Sequence, residues 1–146
     1  MIDTEKADEA RKDLVDFLRE VLDFLRSTLN EPYGDEGLLV LEEMVPELKQ
    51  AWSGFIEDFD FQKTEQQILA TSNEQLEGYG LYGAQLSAKL TLFRLRLSRF
   101  FGKKLKKTLG KLIPSIDTLL DSLIGATGIP DAIKELKDLL GNSIDD

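Results

Sequence analysis

The stretch SNEQLEGYGLYGAQLSAKLTLFRLRLSRFF, residues 72–101, decides how the whole chain is read. Ser72 precedes Gln75 by three residues. In that capping-box spacing the serine hydroxyl takes a backbone N–H and the glutamine side chain reaches back, so a helix is predicted to open here. Apolar residues then recur at threes and fours: Tyr79, Tyr82, Leu86, Leu90, Phe93, Leu97 and Phe100. A second stripe, Leu81, Ala84, Ala88, Leu92 and Leu95, projects to the opposite side at about 100° per residue. The pattern predicts one long helix reaching Phe101, apolar on two faces and therefore central in an all-α bundle. Gly80 and Gly83 lie inside it, each costing about 1 kcal/mol against alanine in a helix interior, so a close helix contact or a local break is expected there.

Working outward, residues 4–29 read as an amphipathic helix with Thr4 as N-cap and acids in the next turn, where the helix dipole favours them. Its apolar side is Ala7, Ala10, Leu14, Phe17, Leu18, Val21, Leu22, Leu25 and Leu29. Asn30 to Asp35 is turn chemistry around Pro32 and Gly34. A helix is expected over 36–56, with a kink or break near Met44 or Val45 caused by Pro46. Glu57 to Phe61 reads as loop. Thr64 and Gln67 repeat the capping-box form and are expected to open a short helix to Ala70.

Beyond Gly102, the spacing of Leu105, Leu109, Leu112 and Ile113 predicts a helix that Pro114 ends, after which Ser115 caps another carrying Ile116, Leu119, Leu120, Leu123 and Ile124. Gly125 to Gly128 reads as a turn. Pro130 fits the first position of a last helix, with Gly141 just past its end and residues 142–146 as a frayed acidic tail. The expectation is a single helical-bundle domain over 1–141, of five or six helices.

Composition narrows the chemistry. The 146 residues contain no cysteine and no histidine, which removes disulfides, thiolate or imidazole metal ligands, thiol nucleophiles and Ser-His-Asp triads. Glu42, Glu43 and Glu47, and Asp58 and Asp60, are the grouped carboxylates; on a polar helix side and in a loop they read as solvated surface. Gly78 to Gly83 lacks the preceding strand and following Lys-Ser/Thr of a phosphate loop. No enzyme, metal or cofactor is expected. The first residues lack the basic and apolar regions of a secretory leader, and no run of about 18 apolar residues occurs, so the expected location is cytoplasmic.

Charge is laid out in blocks. Residues 1–77 hold 20 acids against 7 bases; Gly78 to Ile116 hold 9 bases and no acid; residues 117–146 hold 7 acids against 2 bases. The basic block is densest over 94–111: Arg94, Arg96, Arg99, Lys103, Lys104, Lys106, Lys107 and Lys111, interleaved with Leu95, Leu97, Phe100, Phe101, Leu105 and Leu109. Its bases face acidic helices of the same bundle or a neighbouring copy, on the favoured reading. Such a segment could also lie on anionic lipid or track a nucleic-acid backbone. Nucleic acid is the weakest of these, because the rest of the chain repels a polyanion. Phe59 and Phe61 either anchor a partner protein or fold back to close the bundle, the second being favoured.

The runs Gly80 to Leu90 (GLYGAQLSAKL) and Ile133 to Leu140 (IKELKDLL) resemble segments of uncharacterised bacterial helical proteins. The resemblance covers at most the second half of the chain and implies a bacterial cytosolic accessory domain, with no activity or site residues attached. The functional expectation is a non-catalytic interaction module acting through self-association or a partner protein. The alternative is a membrane-active protein engaging anionic lipid through residues 94–111.

Overall fold

Ten apolar residues of the first helix are buried together, among them Leu14, Phe17, Leu18, Val21, Phe24 and Leu25, and the other helices assemble around them. The computed structural model describes residues 3–30, 46–103, 106–127 and 130–142. Within these lie α1 (Thr4–Asn30), α2 (Pro46–Asp58), α3 (Phe61–Leu69), α4 (Asn73–Gly78), α5 (Gly83–Lys103), α6 (Lys106–Thr127) and α7 (Pro130–Asn142). No strand occurs among the described residues, and the fold is all-α. The buried apolar residues form one cluster contributed to by all seven helices.

Two phenylalanine pairs set α1 beside α5. Phe17 meets Phe93 at 5.0 Å between ring centroids, and Phe24 meets Phe100 at 5.1 Å, both edge to face. Each pair advances by seven residues on both helices, so α1 and α5 run parallel and in register. Edge-to-face pairs of this kind add about 0.5–1.5 kcal/mol each beyond the area they bury. Trp52 of α2, fully buried, reaches the same Phe24 ring at 6.0 Å. α6 packs along α5 and α7 along α6, while α6 also reaches α4 and α7 reaches α2, closing the bundle.

Several expectations are corrected. The cap of α1 is Asp3, whose Oδ1 accepts from the Glu5 N–H at 2.9 Å, with Thr4 already helical. The expected helix over 36–45, its break near Met44 and Val45, and the turn through Asp35 lie outside the described residues; Pro46 stands at the first position of α2, where its missing N–H costs nothing. The stretch read as loop, Glu57 to Phe61, shrinks to Phe59 and Asp60. Asp60, not Thr64, caps α3: its carboxylate accepts from the Lys63 N–H at 3.0 Å, while the Thr64 hydroxyl donates back to the Asp60 carbonyl.

The capping box at Ser72 and Gln75 is present in both directions. The helix it opens is short, however. It stops at Gly78 in a left-handed glycine cap: Gly80 has φ +67°, its N–H donates to Glu77, and Leu81 donates to Leu76 at 2.8 Å. This is the paired 6→1 and 5→2 pattern that needs a residue without Cβ, and the fully buried Leu76 and Leu81 supply its apolar contact. The long helix read from the sequence is thus two, α4 and α5. The second stripe is corrected with it. Leu81 is buried, but Ala84 and Ala88 are exposed, and Leu92 and Leu95 are 44% and 47% exposed. The helix with buried residues facing four neighbours is α1, which packs on α2, α3, α4 and α5.

Pro114 does not end a helix, and Ser115 caps none; α6 passes through both and continues to Thr127, three residues into the expected turn. Proline in a helix interior costs about 3 kcal/mol through the lost N–H and the clash with the carbonyl four residues back. Here that residue is Gly110, and Leu109, Leu112, Ile113, Ile116, Leu119, Leu120 and Leu123 stay buried on one side across the proline, which outweighs the cost. The last helix begins at Pro130 as expected and runs through Asn142, one residue past Gly141; residues 143–146 of the expected tail lie outside the described residues.

The glycine cap gives a direct test. Gly80→Ala is expected to lower the stability in urea unfolding by about 1–2 kcal/mol, the penalty for a Cβ in the left-handed region. The nearest obstacle to that Cβ, Gln85 Oε1 at 2.8 Å, is the end of a flexible side chain and adds little. An unchanged midpoint would mean that the α4–α5 break is not held by this backbone geometry.

Candidate interaction surface

The basic block folds into α5 and the start of α6, and the structure divides its members into two groups. One group is used internally. Arg94 Nε lies 3.1 Å from Glu20 Oε1 of α1, tying α5 to the acidic first helix. Arg96 donates to the Lys111 carbonyl at 3.2 Å and to the Ser115 hydroxyl, on either side of Pro114. The guanidinium thus ties α5 to α6 next to the proline inside that helix.

The other group is free. Arg99, Lys107 and Lys111 are exposed and have no ion pair or side-chain hydrogen bond among the described residues. The side chains of Lys103 and Lys106, and Lys104 and Leu105 altogether, lie outside the described residues. Phe100 is buried at 1% exposure and Phe101 packs on the Phe24 ring, so the aromatic members of the block belong to the core.

Phe59 and Phe61 fold back. Phe59 stacks at a tilt on Phe55 at 5.1 Å, and Phe61 lies under the Arg19 guanidinium at 5.0 Å; both are half-buried against the core. The two are not brought together with the basic residues. Of the grouped carboxylates, Asp60 is a helix cap, Asp58 is exposed, and Glu42, Glu43 and the Glu47 side chain lie outside the described residues.

The surface includes residues that sequence reasoning assigned elsewhere. Leu92, with Lys89 and Arg96, lines a shallow cleft of about 170 Å³ closed on the α6 side by Pro114, Ser115 and Thr118. Leu95 lies beside it along α5. The signal that could have exposed them is the pair of alanines, Ala84 and Ala88, on the same stripe: two small residues bury little and leave that face without a reason to be covered.

A second charged cluster joins α6 to α7. Lys137 Nζ lies 2.6 Å from Asp121 Oδ1 and 3.9 Å from Asp117 Oδ1. The hydrogen bond that Lys137 donates to Asp121 raises the Lys137 pKa above its usual value; desolvation opposes the rise, and the charges of Asp117, Asp121 and Asp138 add to it. Desolvation is the largest influence on Asp117 and raises its pKa, Lys137 opposes it, and Asp121 and Asp138 add to the rise. For a carboxyl raised in the folded state, folding takes up protons. Asp117 therefore weakens the fold as pH rises from its unfolded value near 3.8 through the raised folded value, and the penalty persists at neutral pH. Lys137 acts oppositely at the other end, its stabilisation being lost as pH rises beyond 10.5. Because the carboxyl is only partly buried, Asp117→Asn is expected to raise the melting temperature only slightly at pH 7, and not at pH 3; an equal change at both pH values would show that ionisation is not the cause.

Among the described residues no group of three or more acidic side chains is close enough to hold a metal ion, and no helix is long and apolar enough to cross a membrane. No protein-family model, no curated protein and no solved structure matches the chain.

Proposed function

We propose that the protein is a non-catalytic interaction module of the cytoplasm, acting through self-association or a partner protein. The observation that carries the reading is the outward face of α5, where Leu92 and Leu95 are nearly half exposed beside Arg99, which has no side-chain partner among the described residues. Adjacent exposed leucines rimmed by polar and charged residues are compatible with a protein-binding patch. The absence of histidine and cysteine, and the use of Asp60 as a helix cap, support a non-catalytic role. Opposed charge on one molecule, acidic on α1 and basic on α5 and α6, would steer association and fix its register.

The membrane reading has less support. It drew on Phe100, Phe101 and Leu105 for apolar insertion, and the first two are part of the core. Using them would mean opening the bundle around Phe24.

Two measurements test the proposal. Flotation with vesicles rich in anionic lipid is expected to leave the protein at the bottom of the gradient. Flotation that is lost when Lys103, Lys104, Lys106 and Lys107 all become glutamate would overturn the module in favour of a membrane role. Sedimentation across salt and protein concentration separates the two routes of interaction: association weakened by salt identifies self-association, and a monomer under every condition leaves a partner protein.

A further inference from the structure

α5 presents a crest that its own core does not use. Leu95 projects away from the buried Leu86, Leu90 and Phe93, and Ala88, Leu92, Leu95 and Arg99 follow one another at intervals of four, three and four, the spacing of a helix-pairing seam. Lys89 lines the cleft between this crest and α6, Arg99 ends the crest, and the exposed Lys111 lies on α6, where its carbonyl accepts from Arg96.

Charge decides what can cover it. No acid occurs between Gly78 and Ile116, so two copies paired symmetrically through α5 would set bases against bases with no carboxylate on either side. A head-to-tail contact with α1 supplies charge but no apolar surface: Asp8, Glu9, Asp16 and Asp23 are exposed there, while every apolar side chain described on α1 is buried. The cover must offer both.

We infer that the crest of α5 docks an acidic amphipathic helix of a partner protein, its apolar side chains seated on Ala88, Leu92 and Leu95 and its carboxylates facing Lys89, Arg99 and Lys111. Helix-in-groove recognition of this kind reads apolar anchors at three- and four-residue intervals, and the flanking charges select the partner and speed encounter. The inference rests on the interaction-module reading and specifies its partner.

The probe is a fluorescent helical peptide of about three heptads, with leucine at the seam positions and glutamate beside them. It is compared with the same peptide carrying lysine for glutamate, by anisotropy with the full-length protein. The acidic peptide is expected to bind at least about tenfold more tightly than the lysine peptide. Leu92→Ser with Leu95→Ser, and separately Arg99→Glu with Lys111→Glu, are each expected to weaken it by about tenfold or more. Both double variants alter exposed residues and should keep the parent's circular dichroism and melting curve.

Three results would overturn the inference. An acidic peptide bound equally by parent and by the leucine variant would place docking elsewhere while leaving the interaction module standing. Equal binding of both peptides would remove charge selection. No binding of either peptide, together with flotation on anionic vesicles, would take the interaction module down with it.

Discussion

The register of α1 against α5 is the constraint from which the remaining arrangement follows. Phe17 on Phe93 and Phe24 on Phe100 repeat after one heptad on both helices, so sliding either helix by one residue would break both contacts at once. Parallel neighbours cannot be joined by a short turn. The chain between them must travel back the length of the bundle, and α2, α3 and α4 lie in that connection. Trp52 and Phe55 of α2 and Ile68 of α3 are buried in the same cluster, so the return path is itself core. The Glu20–Arg94 pair sits between the two phenylalanine contacts in sequence and agrees with the same register. It is partly solvated and worth at most about 1 kcal/mol, so it reinforces the alignment without setting it.

A parallel pair also requires a sharp corner before α5, and the structure makes it with few residues. Arg11 of α1, only 12% exposed, donates to the Thr71 carbonyl at 2.8 Å, to the Asn73 side chain and to Asp8 Oδ1. It therefore holds the link between α3 and α4 against the first helix. A largely covered guanidinium is tolerable here because its donors are directed at fixed acceptors, one of them a backbone carbonyl at a chain bend. The Gly80 cap then turns the chain again, and the Tyr82 hydroxyl accepts from the Asp3 N–H at 3.2 Å, closing the start of α5 onto the start of α1. Tyr79 lies over Gly125, where any Cβ would fall 2.3 Å from its ring, so the same corner is also seated on α6.

The fold class was legible because its signals are local. The threes and fours of α1, the serine-glutamine box at residue 72 and the proline opening α7 each concern neighbours within a turn of helix. The errors arise where a local signal competes with a distant one. Thr64-Gln67 and Asp60-Lys63 are both acceptable helix starts, and packing of Phe59 and Phe61 against the core selects the earlier. Pro114 is a strong stop signal, but the stripe of leucines and isoleucines on both sides of it is buried by α5 and α7, and the glycine four residues back eases the ring. Arg11 carried no signal at all, since its principal partners are some 60 residues away.

The candidate surface was half legible for a related reason. Periodicity finds apolar residues on a helix face; it does not say whether another element covers that face. Leu92 and Leu95 satisfied the pattern of a second buried side, and the two-sided reading made α5 central. Once α1 holds the centre, no element among the described residues buries the same stripe, because α6 and α1 are the helices packed on α5. The basic block likewise divides by geometry. Arg94 and Arg96 are consumed by Glu20 of α1 and by the Lys111 carbonyl and Ser115 hydroxyl of α6, whereas Arg99 on α5 and Lys111 on α6 are exposed with no side-chain partner among the described residues. A uniform block in sequence thus becomes, on a helix with two neighbours, a pair of internal braces and a separate basic margin beside two exposed leucines. That separation makes binding at the crest compatible with an intact bundle: the residues offered outward are not those holding α5 in place.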